Sequence, residues 1–319
     1  MTTPRVVCVG AAAVDVIGHP HTEIPRASNS LGTVHLAVGG KARNMAATFA
    51  KLDCDTHLLS TVGNDVFGDL ILRETATVGV QVGRVQQVPD ARTAQYVALL
   101  DPAGHLDYAV FDSAIMDRLS PRYLTEHQGL MHSADLIATH TLLPAESLLF
   151  VAELASREQQ PWYINLTIPS LARRVFDVID KAPVIGCDRI EAEGLTGRAI
   201  DSPTQALHAC RDLIASGASA VLLTLGAQGG VYCDRVSSYS YLPVPAKHVD
   251  ATGAGDAFCA TFLAFHMRGH EVVDCLRRAA VAAAITMESE FATSPSLTLN
   301  ALEQRLRAVD PRIVSPFAE

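Results

Sequence analysis

Asp250-Ala251-Thr252-Gly253-Ala254-Gly255-Asp256 is the stretch on which the reading of this chain turns. It runs directly into Ala257, Phe258, Ala260, Thr261, Phe262, Ala264 and Phe265, a spacing that predicts a helix beginning inside the glycines. The first turn of a helix carries amide groups with no intrahelical acceptor. Glycines let a ligand approach that backbone, and the helix dipole favours negative charge, so Gly253, Ala254 and Gly255 are candidates to cradle a transferring phosphoryl group. Asp256 falls in the same first turn, where the dipole stabilises a carboxylate. It is expected to be ionised and able to take the proton of an attacking hydroxyl. Taken alone, the segment also fits a plain glycine-softened helix start.

Working outward, the chain alternates. Residues 5–9 form a β-branched run closed by Gly10, as expected of a buried parallel strand, and Asp15 follows just beyond it. Gly39-Gly40-Lys41-Ala42-Arg43-Asn44 sets a second glycine pair before a helical pattern of Ala42, Met45, Ala46, Phe49, Ala50 and Leu52. Strand-like runs at 136–139, 162–166, 184–186 and 220–224 each follow a helix-like segment, which implies a parallel sheet with helices on both faces. Ligands of such sheets bind beyond the carboxyl ends of the strands, where Asp15, Asn165, Asp188 and Gly226 should converge. Thr224-Leu225-Gly226-Ala227-Gln228-Gly229-Gly230 follows one of these strands and suits nucleotide phosphates or ribose, or a simple turn into a hairpin.

Two stretches break the alternation. Residues 19–38 mix Pro, Ser, Asn and Gly with short apolar pieces and read as loops and edge strands. Residues 93–100 and 106–111 flank the turn Asp101-Pro102-Ala103-Gly104 and read as a hairpin. The expected organisation is therefore a large α/β domain (1–15, 38–90 and 113–319) with a small β appendage (16–37 and 91–112).

Composition narrows the class. In 319 residues, 49% are hydrophobic and 18% charged, enough apolar material for a buried sheet under helices. A net charge of -9 argues against nucleic acid as a partner. No basic-then-apolar leader is visible, and the apolar run 279–287 falls well short of the roughly 20 residues that span a bilayer, so neither a membrane nor export is expected, and the cytoplasm is. The seven cysteines are scattered without a close pair and read as reduced core thiols. There is no Gly-x-x-x-x-Gly-Lys-Ser/Thr, and Gly10-Ala11-Ala12-Ala13-Val14-Asp15 lacks the later glycines of a dinucleotide fingerprint.

Together, the segments 39–44 and 250–256 resemble the two signature segments of the ribokinase-like (pfkB) family of carbohydrate and nucleoside kinases, and the resemblance runs from Arg5 to about Leu299. It implies a three-layer α/β/α sandwich with a mostly parallel central sheet and a small β-sheet lid, and it implies ATP and Mg²⁺. By motif position it implies Asp256 as base and Gly253 to Gly255 as anion hole. Asp15, Gly39, Gly40 and Asn44 would hold sugar hydroxyls, and Thr224, Gly226, Gly229 and Thr252 would line the nucleotide site. Asp250 and Thr252 match positions that bind a monovalent cation in some members, which makes K⁺ a candidate. Lid sheets in the family often pair across a homodimer, and the apolar Val97, Leu99 and Val110 would suit that role or face the ligand.

Within the family, Ala13-Val14-Asp15-Val16-Ile17-Gly18, Leu59-Ser60-Thr61-Val62-Gly63-Asn64-Asp65, Tyr96-Val97-Ala98-Leu99-Leu100-Asp101-Pro102-Ala103-Gly104 and residues 288–297 are most similar to the pseudouridine kinases. They favour a nucleoside, phosphorylated at its 5′-hydroxyl, over a free sugar. Pseudouridine offers a second ring NH, for which Asp112 or Gln95 is the expected acceptor, although polar hairpin residues are equally often just solvated. Two positions depart from the family: Asp188-Arg189-Ile190-Glu191 replaces Asn-x-x-Glu, and Asn165 replaces an Asp. The expectation is a swapped pair that leaves Asp188 for hydrated Mg²⁺, with Glu191 as a second partner through water. A kinase for ribose, a ketohexose derivative or an adenosine-like nucleoside, and an inactive sugar-binding protein of the same fold, remain as alternatives.

Overall fold

The computed structural model describes residues 3–314; the outer limits of the expected large domain, 1–2 and 315–319, lie outside the described residues. The strands are β1 (Arg5–Val9), β2 (Ala13–Pro20), β3 (Gly32–Gly39), β4 (Asp55–Leu59), β5 (Thr61–Gly63), β6 (Gln86–Val88), β7 (Ala94–Leu100), β8 (Leu106–Asp112), β9 (Leu136–His140), β10 (Trp162–Asn165), β11 (Val184–Asp188), β12 (Ala220–Thr224), β13 (Gly230–Asp234), β14 (Ser238–Tyr241) and β15 (Ile313–Val314). Among the described residues, nine of them form one sheet in the order β15-β14-β13-β12-β11-β10-β9-β1-β4. Pairing is parallel from β4 through β12 and antiparallel from β12 to β15.

Strand periodicity explains the three layers. In β1, Val6 and Cys8 face one core with Phe49, Phe258 and Leu276, whereas Val7 and Val9 face the other with Leu148, Val151 and Leu207. Helices Lys41–Lys51, Ala254–His266 and Val272–Met287 cover the first face, and Ala145–Arg157 and Pro203–Ala215 cover the second. Both faces are buried, so the strands read as continuous apolar runs. This is the expected three-layer α/β/α sandwich with a mostly parallel central sheet. Among the described residues no helix is long and apolar enough to cross a membrane.

A second, four-stranded sheet has the order β3-β2-β7-β8. Strands β2 and β3 pair antiparallel from Ala13↔Gly39 to Pro20↔Gly32, so the stretch 19–38 is, as expected, chiefly a loop over 21–31 and the edge strand β3. Asp15, expected just beyond β1 at the end of the segment 1–15, lies inside β2, the first strand of the small sheet. One face of β3, which carries Val34 and Leu36, is solvent-exposed.

Candidate active site

The carboxyl ends of β9 to β12, the small sheet and the two glycine-started helices enclose a cavity of about 910 Å³. His140, Asn165, Asp188 and Thr224 each end one of those strands. From β1 to β12 is four strand steps, roughly 19 Å at about 4.8 Å per step, which suits a ligand as long as a sugar joined end to end with a triphosphate. The wall includes Asp15, Gly40, Asn44, Thr224, Gly226, Gly229, Thr252 and the whole Gly253 to Asp256 turn. Gly39, Gln95, Asp112, Glu191 and Asp250 do not line it.

Gly253 is the N-cap of helix Ala254–His266 at φ 77, in the left-handed region that favours glycine. A Cβ there would overlap the Ala292 carbonyl oxygen. Ala254 N–H donates to Ala251 O at 3.2 Å and Ala257 N–H to Gly253 O at 2.8 Å. Between them, the Gly255 and Asp256 amides find no acceptor among the described residues, and open space lies above Gly255. The turn thus presents donors to the cavity.

Asp256 is buried, 7% exposed, and both of its oxygens are engaged. Asn44 Nδ2 donates to Oδ2 and Asn165 Nδ2 to Oδ1, each at 3.2 Å. Lys41 Nζ donates to Asn165 Oδ1 at 3.5 Å and pairs with Glu191 Oε1 at 3.8 Å. Burial pushes the Asp256 carboxyl upward, while Lys41, Asn44 and Asn165 hold it down. The helix start stabilises the charged form, and burial opposes it. Burial alone would lower Lys41, yet Asp256, Glu191 and Asp188 raise it, so the ammonium stays charged. Asn44 Oδ1 is buried without a partner, an acceptor left over for a hydroxyl group.

Asp15 faces the same cavity from β2. Its carboxylate lies so close over Gly39 that a Cβ there would overlap it. Gly39 therefore acts by making room for Asp15, not by touching the cavity. Burial pushes Asp15 up to about 6, with Arg43 lowering it and Asp256 and Asp250 raising it. Beside it, Tyr96 is its register partner in β7 and Phe111 is the partner of Tyr96 in β8; the rings meet edge to face with centroids 6.2 Å apart.

That register corrects the expectation for Gln95 and Asp112. They pair with each other one position away from Tyr96 and Phe111, so strand alternation turns them to the opposite face of the sheet. There Arg92 donates to Asp112 Oδ2 at 3.3 Å. Asp250 is likewise occupied locally, its Oδ1 accepting from Thr252 N at 2.8 Å and Thr252 Oγ1 at 2.7 Å.

Asn165 and Asp188, the expected swapped pair, end the neighbouring strands β10 and β11, and both line the cavity. Asn165 serves Asp256 and Lys41. Asp188 caps helix Arg189–Thr196 reciprocally with Glu191: Glu191 N donates to Asp188 Oδ1 at 2.8 Å, and Asp188 N to Glu191 Oε2 at 2.9 Å. Burial, opposed by Lys41, pushes Glu191 up to about 7. Asp188 lines the cavity, and its Oδ2 accepts no hydrogen bond among the described residues. Mg²⁺ is commonly held by one or two carboxylates together with phosphate oxygens and water, so this donor set fits the ion only in company with a nucleotide.

Two contributors had no role in the sequence reading. Lys41 was legible in principle, because a cation at the first position of a helix opposes the dipole and needs nearby carboxylates to justify it. His140 is buried at the end of β9, where its Nε2 accepts from Ala11 N–H at 2.7 Å and burial lowers its pKa to about 3. Nothing local in the sequence marks it.

The profile described as pfkB family carbohydrate kinase matches residues 3–299. The pseudouridine kinase of Escherichia coli (strain K12) is 26% identical over 295 residues, covering 92% of this chain and 94% of that protein. The guanosine-inosine kinase of Exiguobacterium acetylicum is 26% identical over 261 residues, covering 81% and 86%. Among solved structures, Arabidopsis thaliana ribokinase complexed with ribose and ATP superposes with a TM-score of 0.85 at 23% identity, covering 96% of this chain and 99% of that one.

Proposed function

The chain belongs to the pfkB family of carbohydrate kinases, and on that premise we propose that it transfers the γ-phosphate of ATP to the 5′-hydroxyl of a nucleoside, with pseudouridine as acceptor. The observation that carries this reading is the pair of amide donors that hold Asp256 beside the unpartnered Asn44 Oδ1. The similarity to a pseudouridine kinase and to a guanosine-inosine kinase favours a nucleoside, and ATP is supported by the family and by the ribokinase complex.

In this mechanism Asp15 and Asn44 Oδ1 accept hydrogen bonds from ribose hydroxyls, and Gly40 lets the sugar approach the backbone. Tyr96 and Phe111 cover the base. Asp256 takes the proton of the attacking 5′-hydroxyl, and its burial raises the carboxyl toward the pH at which a base works best. The Gly253 to Asp256 turn and Lys41 receive the charge that spreads over the phosphoryl oxygens, while Thr224, Gly226, Gly229 and Thr252 hold the rest of the nucleotide. Mg²⁺, bound through Asp188 with Glu191 behind it, would neutralise charge on the phosphates. The small sheet serves as a lid that excludes water.

The other face of that lid exposes Val34, Leu36, Val97, Tyr108 and Val110. Such an apolar face on a four-stranded sheet suits coverage by a second copy, so a homodimer belongs to this reading. The seven cysteines are all free and buried, which fits a reducing cytoplasm. An ATP-consumption assay across pseudouridine, uridine, adenosine, ribose and fructose derivatives, with and without K⁺, tests the proposal. Preference for ribose or a ketohexose derivative would overturn the nucleoside assignment, and no turnover with any acceptor would leave a binding protein.

A further inference from the structure

The segment 288–297 joins helices Val272–Met287 and Leu299–Ala308 without regular structure of its own, yet it buries Ala292, Ser294 and Leu297. Buried irregular backbone must find partners for its carbonyls. Lys51, the last residue of helix Lys41–Lys51, supplies them: Nζ donates to Thr293 O at 3.0 Å and to Ser294 O at 2.7 Å. From the same helix, Arg43 donates to Thr293 Oγ1 at 3.0 Å and to Val38 O at 3.1 Å. The carbonyl immediately before these, that of Ala292, is the one packed against Gly253. One glycine-started helix thus grips the wall on which the other glycine turn rests.

We propose that Lys51 is a positioning residue for phosphoryl transfer, its ammonium acting as a built-in cation that coordinates the Thr293 and Ser294 carbonyls and so holds the Gly253 to Asp256 turn in place. The kinetic part of this inference rests on the reading of that turn as the phosphoryl seat. Lys51 is not on the cavity wall and acts through Ala292 and Gly253. No carboxylate among the described residues lies within ion-pair distance of it. The groups facing it are Arg43 from its own helix and, from 288–297, the two carbonyls. Burial and Arg43 lower its pKa to about 8, so the grip weakens as pH rises through that value.

The test compares the wild type with Lys51→Met and Lys51→Arg. Amide hydrogen exchange of the unliganded proteins is read at the hydrogen-bonded amides of Ala254 and Ala257 and at 289–297, and ATP turnover is read against pH. Lys51→Met should speed exchange at Ala254 and Ala257 by about tenfold and lower kcat by about tenfold with little change in acceptor KM. Lys51→Arg, with a guanidinium that stays charged, should restore both and move the alkaline limb of the wild-type profile, expected near pH 8, upward. Faster exchange confined to 289–297, or an alkaline limb unmoved in Lys51→Arg, would overturn the proposal. If the wild type turns over no acceptor, the kinase reading fails, while exchange at Ala254 and Ala257 still decides the role of Lys51.

Discussion

Asn44 and Asp256 stand 212 residues apart in the chain, yet Asn44 Nδ2 donates to Asp256 Oδ2 at 3.2 Å in the floor of the cavity. Each follows one of the two glycine turns. Because Asn165 holds the other oxygen, the carboxylate is fixed in orientation before any ligand arrives. Preorganisation of this kind is what a base needs when the attacking hydroxyl and the phosphoryl group must be aligned.

Asp256→Asn should lower kcat by about 10² to 10⁴, the usual contribution of a positioned base. ATP affinity, measured by calorimetry, should change little, since the backbone donors of the turn remain. A variant with near wild-type turnover would remove Asp256 from the mechanism.

Replacing Lys41 by Met takes away the cation that faces Asn165 and Glu191. We expect kcat to fall by about 10² to 10³, with acceptor KM nearly unchanged. Glu191 should also become harder to ionise, because its main compensating charge is gone. Steady-state kinetics with both substrates varied will separate this from a loss of sugar binding.

Asp15 gives two pH effects of opposite sign. With its carboxyl at about 6, kcat/KM for the acceptor should fall as pH drops through that value, because the protonated group loses acceptor capacity. Stability runs the other way. A carboxyl raised in the folded state favours folding at low pH, and that contribution is lost as pH rises through about 6. The shift from 3.8 to about 6 corresponds to about 3 kcal/mol at most. Thermal melts of the unliganded protein between pH 4 and 7 should show the decline, and Asp15→Asn should flatten it.

The hairpin yields a paired comparison. Tyr96→Ala and Phe111→Ala should each raise acceptor KM by about tenfold, as loss of an aromatic wall implies. Gln95→Ala and Asp112→Ala, on the opposite face, should leave it within about twofold. Inversion of this pattern in a kinetic assay would restore the polar pair as base-recognition residues.

The candidate site was only partly legible in the sequence. Gly39, Gly40 and the 250–256 turn announced themselves because helix starts with glycine carry a local chemical signature. Asp188 and Glu191 were visible as a spaced pair, but the same spacing serves a capping box, and the side chains are bonded as one. Gln95 and Tyr96 could not be sorted, since adjacent residues of a strand are distinguished only by which face is covered. Nothing local distinguishes Lys51 from any helix-terminal lysine, since its partners come from the distant segment 288–297.

What the sequence determined by itself was the alternation of strands and helices, the convergence of strand ends on one crevice, and the two glycine turns that begin helices. These depend on hydrophobic period and on backbone freedom over a few residues, both written locally. Tertiary structure alone decided that Asn165 turns to Asp256, that Lys41 stands between Asn165 and Glu191, and that Tyr96 and Phe111 face the cavity in place of Gln95 and Asp112. Those outcomes depend on sheet register and on side chains meeting across 91 or more residues, where a shift of one position reverses the face presented.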